Sequence, residues 1–305
     1  MFQGIWPAMF TPVDNEGNPA FGELEKITDC LIRDGVDGLY LLGSTGQGVL
    51  FKEAQRKKIL EVVQDVNAER VPIMVQVGSM TTRDSKALAC HAENAGADAI
   101  SSVGPVYFPG GADMVLTHYR DIAQTTQLPF FPYQLGSTSI KGDINDFIRA
   151  LLDMPQVQGM KLTTTDLIQI STIHNYAGDR LKLFSGADEL LCHSSLCGTV
   201  GAIGSFYNFW YKECAHVRNT FINGDFELAK DFMLEFQRTI FEVLPNVWTF
   251  FRAAMKLKYQ VDIGPAVRPV GNNNQKWEVG EVQQIMDRIE EVAKVKAEVE
   301  VKAKV

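Results

Sequence analysis

Lys161 is the only charged side chain in the segment Val157-Gln158-Gly159-Met160-Lys161-Leu162-Thr163, which otherwise reads as a buried strand. Burial disfavours an ammonium, so a lysine at such a place finds a partner, reaches solvent along its apolar stem, or loses its proton. In the last case its amine is a nucleophile toward a carbonyl carbon, and covalent catalysis becomes the chemistry to test. On this segment alone, a strand-end lysine whose ammonium reaches solvent describes the residue equally well.

Other residues could serve such an amine. Tyr133 follows Phe130, Phe131 and Pro132; its phenol suits proton transfer if it faces the lysine, and it is otherwise a core aromatic with a satisfied hydroxyl. Gly43-Ser44-Thr45-Gly46-Gln47-Gly48 combines backbone N–H groups with two hydroxyls, which can hold a carboxylate or phosphate. Glycines at such points also serve tight turns without any ligand. Asp188 and Glu189 in Gly186-Ala187-Asp188-Glu189 offer paired carboxylates, which accept hydrogen bonds from hydroxyl donors.

These residues close a series of short apolar runs at residues 5–13, 38–43, 72–78, 99–107, 129–134, 159–163, 181–185 and 201–205. The runs start roughly 20 to 35 residues apart with room for a helix in nearly every gap, as in parallel strands joined by crossover helices. Between them, Leu24, Ile27, Leu31 and Ile32 form one helical stripe ahead of Gly35, Ile59, Val62, Val63 and Val66 form a second, and a third helix over 85–95 ends before Gly96. Eight such units closing on themselves make a (β/α)8 TIM barrel, with an open doubly wound sheet as the other architecture. In a barrel the strands' C-terminal ends carry the site, which singles out Ser44 and Thr45, Tyr107, Tyr133, Lys161 and Thr163, Gly186 to Glu189, and Ser205. After the eighth run the pattern is helix only, at 208–223, 226–244, 246–259 and from 278 to the end. The expected division is a barrel over 1–222 and a C-terminal helical extension over 223–305, its last residues, 292–305, low in complexity and prone to fray.

Composition bounds the class. The 305 residues are 46% hydrophobic and 22% charged, with a net charge of −8, the make-up of a chain with a large core and no general affinity for nucleic acid. Cys30, Cys90, Cys192, Cys197 and Cys214 are odd in number and contain no Cys-x-x-Cys pair, so reduced thiols and a cytoplasmic setting are expected, without disulfides or zinc. No basic-then-apolar leader or membrane-length apolar run is evident. His91, His118, His174, His193 and His216 fall in expected helices without metal-ligand spacing.

The order Gly43-Ser44-Thr45-Gly46, Tyr107-Phe108-Pro109, Tyr133, Gly159-Met160-Lys161-Leu162-Thr163, Gly186-Ala187-Asp188-Glu189 and Gly204-Ser205-Phe206-Tyr207-Asn208 resembles the N-acetylneuraminate lyase and dihydrodipicolinate synthase superfamily of pyruvate-dependent class I aldolases. The similarity extends from residue 4 to residue 268. The resemblance implies a Schiff base between Lys161 and a 2-oxo acid, Tyr133 as proton shuttle, and Ser44 and Thr45 on the pyruvyl carboxylate. It implies that Tyr107 completes the relay in the adjoining subunit, and hence a homo-oligomer, a dimer of dimers. No metal or organic cofactor is then required, because the iminium is the electrophile.

Within the superfamily the lyase branch fits better. The synthases carry an arginine soon after the catalytic tyrosine, and Tyr133-Gln134-Leu135-Gly136-Ser137-Thr138 has none. Thr163, Gly186, Asp188, Glu189 and Ser205 match positions that hold the polyhydroxyl tail of sialic acid. The implied reaction is reversible cleavage of a 2-oxo-3-deoxy sugar acid, with N-acetylneuraminate giving pyruvate and N-acetylmannosamine. Three departures leave substrate choice open: Gln47 replaces a usual glutamate, Gly104 a usual threonine, and the stretch after Tyr133 lacks a usual proline. Gln47 and Gly104 are expected at the pocket rim or relay. The alternatives are a 2-keto-3-deoxygluconate aldolase, a dihydrodipicolinate synthase-like enzyme, or a barrel that binds a sugar acid without catalysis.

Overall fold

The computed structural model describes residues 1–108, 110–135, 142–271 and 275–294. Residues 136–138, whose lack of arginine and proline bears on branch and substrate, lie outside the described residues, as does the tail at 295–305.

Eight parallel strands, β1 (Gly4–Pro7), β2 (Leu39–Leu41), β3 (Ile73–Gln76), β4 (Ala99–Val103), β5 (Phe130–Leu135), β6 (Gly159–Thr163), β7 (Lys182–Ser185) and β8 (Gly201–Gly204), pair in the order β1-β8-β7-β6-β5-β4-β3-β2. A parallel bridge between Ala8 and Tyr40, with the Met9 N–H donating to the Tyr40 carbonyl at 2.9 Å, brings β1 and β2 together and nearly closes the sheet. The fold is the (β/α)8 barrel that the repeat of apolar runs predicts.

Six of the eight strands are shorter than their apolar runs, β1 and β4 by the most. β4 stops at Val103, before Gly104-Pro105, because proline has no N–H for the ladder and pushes its predecessor out of register. β1 stops at Pro7, after which the Ala8 bridge to Tyr40 continues the parallel pairing.

Seven helices separate the strands: α1 (Phe21–Arg33), α2 (Glu53–Asn67), α3 (Thr82–Asn94), α4 (Ala112–Ala123), α5 (Ile144–Leu152), α6 (Leu167–Ala177) and α7 (Leu191–Leu196). α1 buries Leu24, Ile27, Leu31 and Ile32, the stripe legible in its sequence. Gly35 and Gly96, just beyond α1 and α3, take φ of 81° and 79°, the left-handed region that stops a helix without Cβ strain.

Side-chain alternation along the strands builds two cores. Inside the barrel Trp6, Tyr40, Met74, Ala99, Phe131, Phe184 and Ile203 form one cluster with Phe2 and Ala8. Trp6 meets Phe184 edge-on at 5.9 Å, and Phe131 meets Phe184 at 6.1 Å. Outward-facing residues, among them Ile5, Leu41, Val75, Ile100, Met160, Leu162 and Leu183, join the helices in the larger core. Each fully buried side chain of this kind contributes about 1.5–3 kcal/mol.

After β8 come α8 (Tyr207–Ile222), α9 (Phe226–Val243), α10 (Val247–Tyr259) and α11 (Val279–Ala293). Residues of all four belong to the outer core, so the last helices extend that core. Phe206 stacks on Trp210 at 5.8 Å and meets Phe236 and Phe251 edge-on, which braces the end of β8. Among the described residues no helix is long and apolar enough to cross a membrane, and all five cysteines are free thiols.

Candidate active site

The site rises from the aromatic floor of the barrel. Along β6 the residues Gly159, Lys161 and Thr163 face inward, while Met160 and Leu162 enter the outer core. Gly159 leaves room for the floor itself, since a Cβ there would lie 2.2 Å from the Phe131 ring. Lys161 therefore emerges one layer above the aromatics, 4% exposed, paired with Tyr133 of β5 on one side and Phe184 of β7 on the other.

The Lys161 Nζ lies 4.4 Å from the ring centres of both Tyr133 and Tyr40, whose rings stand at 89° to each other with centroids 6.5 Å apart. Burial lowers the lysine's pKa below its ordinary value, with Tyr133 and Asp188 pulling in the other direction. For the Tyr133 phenol, burial pushes upward, but the Lys161 charge and hydrogen bonds with Thr163 and Ser44 bring it below the usual phenol value. The Thr163 hydroxyl donates to the Tyr133 phenol oxygen at 3.3 Å. The ammonium draws the phenol toward its ionised form while burial draws the ammonium toward its neutral form, so amine and phenol share one buried space and exchange protons as a coupled pair.

Gly186 supplies that space. A Cβ at Gly186 would lie 2.0 Å from the Thr163 hydroxyl and 3.1 Å from the Lys161 Cε. The turn after β2 comes in from the opposite side. Gly43 accommodates the Tyr40 ring, which a Cβ would approach to 2.5 Å, and Ser44 is exposed at the rim. The Thr45 and Ser205 hydroxyls meet at 2.7 Å, joining the β2 turn to the end of β8.

Asp188, in the 3-10 turn after β7, is 6% exposed. Its Oδ2 accepts the Phe206 N–H at 2.9 Å, and Gly204 makes room for its other oxygen, which a Cβ would approach to 1.6 Å. Burial pushes the Asp188 carboxyl up to about 7, aided by Glu189, while the Phe206 N–H, Lys161 and the Ser205 N–H oppose the shift. Glu189 is half-buried beside it, and its carbonyl accepts from Gln237 of α9 at 2.8 Å.

Lys161, Tyr133, Ser44, Thr163, Gly186 and Asp188 thus surround one space, with Thr45 and Ser205 joined at its edge. Tyr107 stands apart within the single chain. It is 71% exposed beyond β4, and among the described residues its ring meets only Phe108, edge-on at 5.0 Å. Gln47 differs from its expected place at the rim. It is buried with φ 54°, and its Oε1 accepts the Val267 N–H at 2.7 Å, tying the β2 turn to the segment after α10. Gly104 has only ordinary contacts around it, the nearest being the Tyr119 hydroxyl at 3.5 Å from a Cβ placed there.

Tyr40 is the residue that sequence reasoning passed over. Its phenol, pushed up by burial, donates to Ser101 at 3.1 Å, so the ring is a neutral wall against the amine. A tyrosine between Leu39 and Leu41 in a three-residue strand was the available signal. Among the described residues no group of His, Cys, Asp and Glu is arranged to hold a metal ion.

Residues 1–286 match the dihydrodipicolinate synthetase family. The chain is 32% identical over 239 residues to the N-acetylneuraminate lyase of Citrobacter koseri, covering 78% of this chain and 80% of that protein. Its fold superposes on the crystal structure of N-acetylneuraminate lyase from Mycoplasma synoviae with a TM-score of 0.84 at 25% identity, covering 96% and 98% of the two chains. It also superposes on the Ruminococcus gnavus sialic acid aldolase with a TM-score of 0.88, at 22% identity and with 95% and 98% coverage, a likeness of fold.

Proposed function

Given that the chain belongs to the dihydrodipicolinate synthetase family, we propose that it is a Schiff-base lyase that reversibly cleaves a 2-oxo-3-deoxy sugar acid into pyruvate and an aldose, with N-acetylneuraminate, giving N-acetylmannosamine, the foremost substrate. The observation that carries this reading is Lys161, a buried amine with lowered pKa, facing a phenol whose pKa is also lowered. The names of its lyase relatives support the substrate.

In this mechanism the neutral Lys161 amine attacks the C2 carbonyl, and loss of water from the carbinolamine leaves an iminium. Tyr133 takes the proton from the C4 hydroxyl as the C3–C4 bond breaks, and the bonding electrons move into the iminium as an enamine. The aldose leaves, the enamine is protonated at C3, and water releases pyruvate and restores the amine. The Ser44 and Thr45 hydroxyls and the N–H groups of their turn hold the pyruvyl carboxylate, and Ser44 relays the proton to or from Tyr133. Tyr107 of the partner subunit completes the relay, so the active form is at least a dimer and in this reading a dimer of dimers. Thr163, Gly186, Asp188, Glu189 and Ser205 line the place of the sugar tail. The iminium serves as electrophile, so the mechanism calls on no metal or organic cofactor.

Borohydride reduction in the presence of pyruvate, followed by peptide mass mapping, tests the chemistry. A reduced pyruvyl adduct on Lys161 is expected, and an unmodified Lys161 would sink the aldolase reading in favour of a non-catalytic sugar-acid binder. Release of pyruvate from N-acetylneuraminate but not from 2-keto-3-deoxygluconate is expected, and the reverse preference would reassign the substrate. A fully active monomer in sedimentation would remove Tyr107 from the relay.

A further inference from the structure

At the opposite mouth of the barrel, where the strands begin, lies a cavity of 390 Å³ lined by Gln3 and the start of β1, by residues that precede β2 and β8, and by one face of α8. Arg218 lines it and is 8% exposed, yet among the described residues its guanidinium makes one hydrogen bond, from Nη2 to the Thr199 carbonyl at 3.5 Å, and its buried Nε has no partner. A buried guanidinium with empty donors is costly unless something with negative charge accepts from it. Asp37 lines the same cavity and acts on Arg218 electrostatically, but among the described residues the two form no ion pair. Its carboxylate instead accepts the Ile5 N–H at 2.8 Å and the Tyr211 hydroxyl.

We propose that this cavity binds a small monocarboxylate, its carboxylate on Arg218 and its short apolar tail against Val200, Ala215 and Ile222. The planar fork of the guanidinium matches a carboxylate in two parallel hydrogen bonds. Asp37 lines the same cavity, where burial raises its carboxyl pKa, so a ligand of one negative charge beside Arg218 is accommodated more readily than a phosphate dianion. The apolar residues on the wall favour a ligand with a hydrocarbon end. The site is separate from Lys161, which opens at the other end of the strands, so occupancy stabilises the barrel by mass action without competing for the catalytic face.

Calorimetric titration and thermal shift with butyrate and with inorganic phosphate, at equal ionic strength, test the proposal. One butyrate per chain and a saturable rise in Tm are expected, with a smaller effect of phosphate. Arg218→Met removes the anchor. Should that variant fail to fold, Asn219→Glu sets a carboxylate at the mouth from an exposed helix position and is expected to weaken butyrate binding about tenfold or more. Absence of butyrate binding, a phosphate effect as large as that of butyrate, or butyrate binding unchanged in Asn219→Glu overturns the proposal. Loss of binding in Thr45→Val with retention in Asn219→Glu overturns it too, because the ligand then sits at the catalytic face.

Discussion

Tyr133 and Lys161 are direct register partners across β5 and β6, and the lysine nitrogen lies 4.4 Å from the centre of the tyrosine ring. Adjacent parallel strands sit about 4.8 Å apart, so two inward-facing side chains at one register position share their surroundings. The pairing holds the phenol beside the amine without a dedicated hydrogen bond between them.

Removing the amine separates chemistry from stability. Lys161→Met is expected to abolish turnover and the borohydride adduct while keeping or raising Tm, because it replaces a buried amine, costly to desolvate, by an apolar chain of similar length. A clear drop in Tm measured by calorimetry would mean that the ammonium holds the barrel together.

Tyr133→Phe keeps the ring and removes the phenol proposed to carry the proton. Cleavage is expected to slow by about 10²–10⁴-fold, with the pyruvate adduct on Lys161 still trapped by borohydride. Loss of trapping in parallel with turnover, followed by mass spectrometry, would show that the phenol is needed to form the imine and not for C–C cleavage alone.

Gly186→Ala places a methyl 2.0 Å from the Thr163 hydroxyl and 3.1 Å from the Lys161 Cε. Both must shift, at a cost of about 1–3 kcal/mol, and kcat is expected to fall at least about tenfold through loss of alignment. Urea unfolding and steady-state kinetics on the same variant check the two effects, and wild-type kcat would show that the lysine tolerates the displacement.

Asp188 makes stability depend on pH. Its carboxyl is raised from 3.8 to about 7 in the folded chain, so between those values the folded form holds a proton that the unfolded form has released. Its stabilising contribution is therefore complete below pH 3.8 and is lost as pH rises to about 7. Asp188→Asn mimics the protonated acid, and its Tm relative to wild type is expected to climb between pH 5 and pH 8. A Tm difference that stays flat over that range would assign the acid an ordinary pKa.

Gln47→Ala leaves the Val267 N–H without its acceptor, at a cost of about 1–3 kcal/mol. Since Gln47 anchors the turn that carries Ser44 and Thr45, KM for the 2-oxo acid is expected to rise more than kcat falls. A lower kcat at unchanged KM would show that the turn acts on the proton relay instead.

Much of this protein is determined by sequence alone, because strand and helix periods and turn residues are local. The eight apolar runs, the stripe of α1 and the glycines that stop α1 and α3 are legible from neighbouring residues. So is the oddity of Lys161, one charge in an apolar strand. Distances between residues remote in sequence are set by register and burial, and these only the tertiary structure decides. It put the Tyr40 ring against the amine, turned Gln47 away from the rim toward Val267, and used Gly204 to seat the Asp188 carboxylate. It also left Arg218 inside the far mouth of the barrel. The position of Arg218 on α8 reads as an ordinary helical residue in the sequence, because burial of a charge is a property of the packed elements around it.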